Sequence, residues 1–380
     1  MNKFTIRLKQ HTPLIHFQHD QEGATLRASE VKPKLDQFLK ETFNNEENKD
    51  LIEQLSISGD HKRSPYKVFI QLEDADSVTE YVIGSYIAKN KIQNYKENEY
   101  KVITPSPYFA DDSEIKKGNV DKIKLGVMTG KQILLRFTYF NTKWEELLKK
   151  AVPLFFAKYN FGSRQSKGFG CFYPSVLDEK QFESCLITQY DVVYKYQSRN
   201  DYLNSLFGEI NNIYKKLKSG DRNRESELRK YFNALRPAVD WEKPAIQKHV
   251  SEISRRNLRI NAISDEIKFI RALLGLPELY EYPMHGDIKV KVKHQSATKE
   301  DKIERFASPI LFKVFNRNIY LVLNQTDSIE GKEFSFEFVQ KGRSYGEREK
   351  LTVPVGFDLK EFIEKAMISN TQWKKIIRNG

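Results

Sequence analysis

At 380 residues the chain is long enough for two compact domains of roughly 150 residues each, and 39% hydrophobic residues with 25 Phe and 19 Tyr supply real cores, which excludes global disorder. The 63 Lys and Arg against 51 Asp and Glu leave a formal charge of +12, which favours an anionic partner, nucleic acid first; an ordinary protein of high isoelectric point is the bland alternative. The apolar run Ala151 to Phe156 is far short of the roughly 20 residues a span needs, and Met1 to Gln10 alternates charged with apolar residues as a signal peptide does not, so no membrane partner and a cytoplasmic location are expected.

Phe4, Ile6 and Leu8 alternate with Thr5, Arg7 and Lys9, the period-2 pattern of a half-buried strand ending near Pro13. Val31, Leu35, Phe38 and Leu39 then fall at helical spacing, predicting a helix over 29–43 with Pro33 in its first turn, where the missing N–H does little harm. Residues 44–63 are charged and read as a loop or insertion, Val68, Ile70 and Leu72 alternate as a second strand, and the Lys-rich stretch 88–124 reads as an exposed insertion. Ile133 to Phe140 is β-branched and aromatic, fit for a buried strand. The helical stripe Trp144, Leu147, Leu148, Ala151, Leu154, Phe155 follows it, then a glycine-rich loop over 160–170 and an apolar strand over 171–177. Strand, helix, two strands, helix, strand is the split β-α-β order of a ferredoxin-like domain.

A second strand-helix unit begins at Leu186 to Tyr196, which alternates, followed by the amphipathic stripe Leu203, Leu206, Phe207, Ile210, Ile213, Tyr214, Leu217. Further helices are expected over 223–235, 244–256 and 263–274, strands over 288–292, 309–315 and 319–323, and a closing helix over 359–367. The domain boundary falls near residue 185: residues 1–185 make one domain, and 186–380 a second with a helical insertion at about 200–275.

The most informative stretch is Asn160-Phe-Gly-Ser-Arg-Gln-Ser-Lys-Gly-Phe-Gly170. Gly162, Gly168 and Gly170 permit positive φ and close backbone approach, so that exposed N–H groups can face phosphate oxygens, and Arg164 and Lys167 add charge. Phe161 and Phe169 either stack on unpaired bases or pack beneath the loop. The segment is neither a P-loop, which needs Gly-Lys-Ser/Thr opening a helix, nor a Rossmann turn, which needs a preceding strand.

This loop, between a second helix and a last strand, resembles the glycine-rich loop of the RAMP (repeat-associated mysterious protein) superfamily, commonly Gly-x-Arg-x-x-Arg-Gly-Phe-Gly. Thr12-Pro13-Leu14 followed by Leu26-Arg27-Ala28-Ser29-Glu30-Val31-Lys32 is similar to that family's opening strand and Leu-Arg-Gly-Ser-Ser-hydrophobic-Lys helix start. Ala28 stands where the family has Gly, Lys167 where it has Arg, and Ile-His-Phe-Gln-His follows Leu14 in place of a glycine-rich stretch. Arg305-Phe-Ala-Ser-Pro-Ile-Leu-Phe-Lys313 looks like a segment of the two-domain subunit that caps the crRNA 3′ end in type III-B (Cmr) CRISPR effector complexes.

The resemblance implies an α+β chain of two tandem ferredoxin-like (RRM-like) domains with helical insertions, a ribonucleoprotein subunit of antiviral defence. Its partners would be crRNA, target RNA and other RAMP subunits, with no cofactor. It places Arg27, Ser29 and Lys32 at a helix start near RNA, with Arg164, Lys167 and the glycines lining the same groove; Arg305 and Lys313 have a weaker claim. Without the family, Arg27 and Lys32 read equally as a solvated helix end. Between Ile213 and Arg259 stand 13 Lys or Arg against six Asp or Glu, and Arg255, Arg256 and Arg259 form a basic helical face suited to a phosphate backbone, an acidic neighbouring subunit or plain solvent.

His16 and His19, near Lys9, His11 and Asp20, suit acid–base cleavage of RNA through the 2′-hydroxyl, as in RAMP relatives that process crRNA precursors. Histidines in a basic turn are more often surface groups, and in those nucleases the glycine-rich loop lies near the C-terminus, whereas about 210 residues follow it here. No Cys or third nearby His completes a zinc set, and Cys171 and Cys185, lacking Cys-x-x-Cys spacing, read as packing residues. The reading is a non-catalytic RNA-binding subunit; a metal-independent endoribonuclease and a basic scaffold without RNA contact are the alternatives.

Overall fold

The computed structural model describes residues 1–15, 25–57, 64–74, 77–83, 101–103, 125–200, 202–220, 224–235, 237–255, 263–264, 266–276, 279–282, 285–296, 303, 306–324 and 329–377. In chain order the first half holds β1 (Asn2–Gln10), β2 (Leu14–Ile15), α1 (Ala28–Thr42), α2 (Lys49–Ile57), β3 (Tyr66–Leu72), β4 (Val78–Ile83), β5 (Lys101–Ile103), β6 (Leu125–Thr129), β7 (Ile133–Tyr139), α3 (Lys143–Lys158), β8 (Phe172–Pro174) and α4 (Glu179–Gln189). The second half holds β9 (Val193–Gln197), α5 (Leu203–Lys218), α6 (Glu227–Ala234), α7 (Glu242–Ser254), β10 (Leu279–Tyr282), β11 (Ile288–His294), β12 (Ile310–Phe315), β13 (Asn318–Leu323), β14 (Glu333–Gln340), β15 (Arg343–Thr352), α8 (Leu359–Ile368) and β16 (Trp373–Ile376). The α+β expectation is met.

The chain forms two compact units. The first comprises 1–211, 311–323 and 372–380, and contains two sheets with the same topology. In the first sheet the strands lie in the order β3-β7-β1-β8, all antiparallel, which is sequence order 2-3-1-4, the ferredoxin-like arrangement. Its inward residues Leu8, Leu135 and Phe137 are fully buried with Phe38 of α1 and Trp144 and Phe155 of α3, each contributing roughly 1.5–3 kcal/mol through burial. The other sheet runs β12-β13-β9-β16, again 2-3-1-4, so the two-fold ferredoxin-like expectation also holds for the second half of the chain. A further small sheet, β2-β6-β4-β5, joins the end of β1: buried Gln10 donates to the carbonyl of Val127 (2.7 Å) and accepts from the N–H of Thr129 (3.0 Å).

The second unit comprises 212–310 and 324–371. It pairs the sheet β10-β11-β14-β15 with α6, α7, α8 and a 3-10 turn, Ile270–Leu274. At its centre the fully buried carboxylate of Glu242 meets Arg271 and accepts the N–H of Ile270 (3.2 Å). Lys218 is also inside, donating to the carbonyls of Leu274 (3.4 Å) and Gly275 (2.5 Å), and burial lowers its pKa to about 7.

Several local expectations needed correction. Residues 49–57 are a helix because Leu51, Ile52 and Leu55 make a short apolar stripe amid the charge. Pro33 stands in the second turn of α1, on an exposed position. The alternation expected over 186–196 is interrupted by α4, whose start is locked by a capping box between Asp178 and Gln181, and the strand follows at 193–197. Among the described residues of the helix expected over 263–274, only 270–274 are helical. Most of 88–124 lies outside the described residues.

Removing one partner of the Glu242–Arg271 pair strands a buried charge. Glu242→Ala therefore costs roughly 3–5 kcal/mol in a denaturant titration, and Glu242→Leu combined with Arg271→Met recovers most of it.

Candidate nucleic-acid interface

The loop Asn160 to Gly170 is bonded on two sides. Toward the start of the chain, Gly170 N–H donates to the Pro13 carbonyl (2.9 Å), Ser163 N–H to that of Ile15 (2.7 Å), and Cys171 N–H to the Thr12 hydroxyl (2.9 Å). Toward β12, the Phe312 N–H donates to the Ser166 carbonyl (3.2 Å), and the Asn160 amide donates to the carbonyls of Phe312 (2.9 Å) and Gln165 (2.8 Å). Lys167 and Phe312 form a single parallel bridge, so the loop touches β12 at one point of strand-like pairing. A third tie reaches α1: Gly162 N–H donates to Glu30 (2.9 Å) in its first turn.

The glycines answer to geometry. Gly162 has φ +74° and a Cβ there would lie 2.5 Å from the Ile15 oxygen; Gly170 has φ +67° and its Cβ would lie 1.9 Å from the Phe161 oxygen. No other residue fits either place. The expectation that these N–H groups face phosphates is corrected, because those of Gly162, Gly168 and Gly170 are given to Glu30, Gln165 and Pro13.

Of the two roles open to the phenylalanines, the structure has the packing one. Phe161 is fully buried against Phe155 and Phe156, and Phe169 is fully buried and stacked on Phe207 of α5, ring centroids 4.1 Å apart. The expected phosphate contacts of Lys167 and Lys313 are corrected too, for both are inside: Lys167 is 2% exposed, and Lys313 has no exposed surface and donates to the Phe156 carbonyl (3.3 Å). Burial, reinforced by the neighbouring charge of Lys34, lowers the Lys313 pKa to about 7.

What faces outward is a smaller set. Arg164, at φ +58°, is half-buried on the loop; Arg27, also half-buried, is the N-cap of α1 with extended backbone and no side-chain cap; Ser29 is exposed. The Glu30–Gly162 bond holds these two arginines in one neighbourhood, beside a helix N-terminus that favours anions. Lys32 is turned elsewhere, paired with Asp36 (2.6 Å) and lying over the Tyr66 ring (4.2 Å). Arg255 is exposed at the end of α7, in the second unit; Arg256, Arg259, Arg305, His16 and His19 lie outside the described residues.

Two participants went unnoticed in the sequence. Glu30 ties helix to loop, and Lys34, four residues on, pairs with Glu30 (3.6 Å) and lies over the Phe161 ring (5.1 Å). The i, i+4 spacing was the available signal. His11 is buried and neutral: burial, then the charge of Lys9, lowers its pKa to about 3, and it accepts the Asn316 N–H (3.0 Å) while stacking on Phe315. Among the described residues no cluster of His, Cys, Asp or Glu could hold a metal ion, and no helix is long and apolar enough to cross a membrane.

Comparison with known proteins adds family likeness. Residues 1–221 match the family described as the Cmr1 N-terminal domain and residues 223–379 that described as the Cmr1 C-terminal domain. No curated protein matches. The chain is similar to the crystal structure of Cmr1 from Pyrococcus furiosus (apo form) at 12% identity and a TM-score of 0.42, over 99% of this chain and 98% of that one.

Gly170→Ala forces a side chain into left-handed backbone against a carbonyl, and a loss of at least roughly 1–3 kcal/mol is expected in thermal or chemical unfolding. The unfolded chain keeps the proton of Lys313 up to the ordinary lysine range near 10.4, whereas the folded chain releases it near 7. The unfolded state therefore binds more protons between those values, and this lysine makes stability rise with pH across that window. Lys313→Met flattens that rise in melts taken from pH 7 to 10.

Proposed function

Since the chain belongs to the Cmr1 family, and is thereby a RAMP-type subunit of the type III-B Cmr complex, we propose that it is a non-catalytic RNA-binding subunit that caps the 3′ end of the crRNA and helps position target RNA. The observation that carries this reading is the tie between Glu30 and Gly162, which gathers Arg27, Arg164 and the N-terminus of α1 at one place on a chain of net charge +12. Two arginines and a helix start suit phosphate oxygens at close range. The tightly bonded loop beneath them supplies rigidity, so the arginines are placed without ordering a mobile segment on binding. Readout of base sequence is weak in this reading, because backbone contacts position an RNA without reading it and guide pairing supplies the specificity. Arg255 at the end of α7 is a candidate contact for RNA or a sister subunit.

Binding of labelled single-stranded RNA, followed by fluorescence anisotropy across a salt series without divalent metal, tests this. Arg27→Ala/Arg164→Ala weakens binding and makes the salt slope shallower by roughly 1.4, about 0.7 per lost phosphate contact, while a denaturing gel shows the RNA intact. Cleavage by the wild type that His16→Ala or His19→Ala abolishes would put the endoribonuclease in its place, and absence of affinity at low salt would leave a scaffold.

A further inference from the structure

The first ferredoxin-like sheet buries one face under α1 and α3. Its other face is covered at the β8 edge, where Tyr173 is buried against Phe182 and Phe315, and Thr138 is buried too, but among the described residues its positions on β1, β3 and β7 are otherwise mostly exposed. On that face Lys3 of β1, Thr138 of β7 and Lys67 of β3 lie in one cross-strand row, and Thr5, Arg136 and Phe69 in the next. Arg7 begins a third row. The four cations are exposed, and among the described residues none of them has an ion pair. None of the outward positions of these three strands carries a carboxylate. Phe69 is 53% exposed in mid-strand, and Phe140, one residue past the end of β7, is 79% exposed. A half-bare ring in the middle of a strand needs a reason, since the same sheet buries Phe137 and Tyr139 on its other face.

We propose that this open face is a second RNA-binding surface, which takes an unpaired stretch of RNA with bases stacked on Phe69 and Phe140 and phosphates on Lys3, Lys67, Arg136 and Arg7. Cross-strand neighbours stand about 4.8 Å apart and same-face residues along a strand about 6.6 Å apart. Each exposed ring therefore has a cation within a nucleotide's reach. An acidic protein surface would satisfy the cations and leave the rings bare, and a duplex would offer phosphates with its bases already stacked inside. An unpaired strand satisfies both kinds of group. This rests on the RNA-binding reading above but uses different residues, and the loop and Arg27 lie outside it.

The test is photo-cross-linking of the full-length protein to single-stranded RNA carrying 4-thiouridine, with the cross-linked peptides mapped by mass spectrometry, alongside anisotropy of face variants. Expected are cross-links on the β3 and β7 peptides, a loss of about tenfold in affinity for Phe69→Ala at unchanged salt slope, and recovery in Phe69→Tyr. Lys67→Ala/Arg136→Ala should make the salt slope shallower by roughly 1.4. Cross-links confined to residues 160–170 and the α1 start, with face variants binding like wild type, overturn the second surface and leave the loop reading intact. Face variants that keep RNA affinity but lose an acidic sister subunit overturn it in favour of a protein contact. No affinity and no cross-link anywhere overturns both.

Discussion

The backbone bonding of one segment, Asn160 to Cys171, is the constraint on which the first unit depends. On one side its amides are given to Pro13, Ile15 and Thr12, in the stretch that leads from β1 into β2; on the other its carbonyls and the Asn160 side chain take up the main chain of Phe312 in β12. The stretch that follows β1 and the middle of β12 are therefore stitched to the same twelve-residue segment. Buried main-chain donors and acceptors left unpaired are costly, so the loop can hold only one conformation while both sheets are in place. The glycines are required by that stitching: a Cβ at Gly170 would meet the Phe161 oxygen at 1.9 Å. A segment that reads as an RNA-binding loop is first of all a structural joint, and its contact with solvent is what is left over, Arg164 foremost.

The same economy governs charge. A chain with an excess of twelve cations does not spread them evenly. Lys167, Lys218 and Lys313 are inside, and burial shifts the latter two toward neutrality because the surroundings oppose the charged form. Lys32 and Lys34 are held by Asp36 and Glu30. Other cations are exposed, among them Lys3, Arg7, Lys67 and Arg136 on the first sheet and Lys291 and Lys293 on β11. Net charge says nothing of which lysines reach the surface; that depends on solvation, residue by residue.

The unequal yield of the sequence reading has a physical pattern. Elements with strong periodicity over many residues, such as β1, α1, β7, α3 and the α5 stripe, were legible because one face of each is buried and its spacing writes itself into the residue types. The helix at 49–57 was hidden by charged residues around three apolar ones, and α4 by a stripe of only two buried residues, Phe182 and Leu186, although Asp178 and Gln181 spelled its capping box. Glu30, which joins helix to loop, looked like one more acidic residue in a first turn, for its partner is a main-chain amide 132 residues away.

Residue order alone carried the ferredoxin-like strand order of the first domain and the motifs by which the chain resembles its family, because alternation and local spacing are written along the chain; the second ferredoxin-like domain entered only through that resemblance. Only the tertiary structure decided that Phe161, Phe169, Lys167 and Lys313 face inward, that the glycine amides are already bonded within the protein, and that Phe69 and four cations share an open face. Those facts depend on pairings between strands and loops more than a hundred residues apart, and a one-residue change of register would exchange the buried face for the open one.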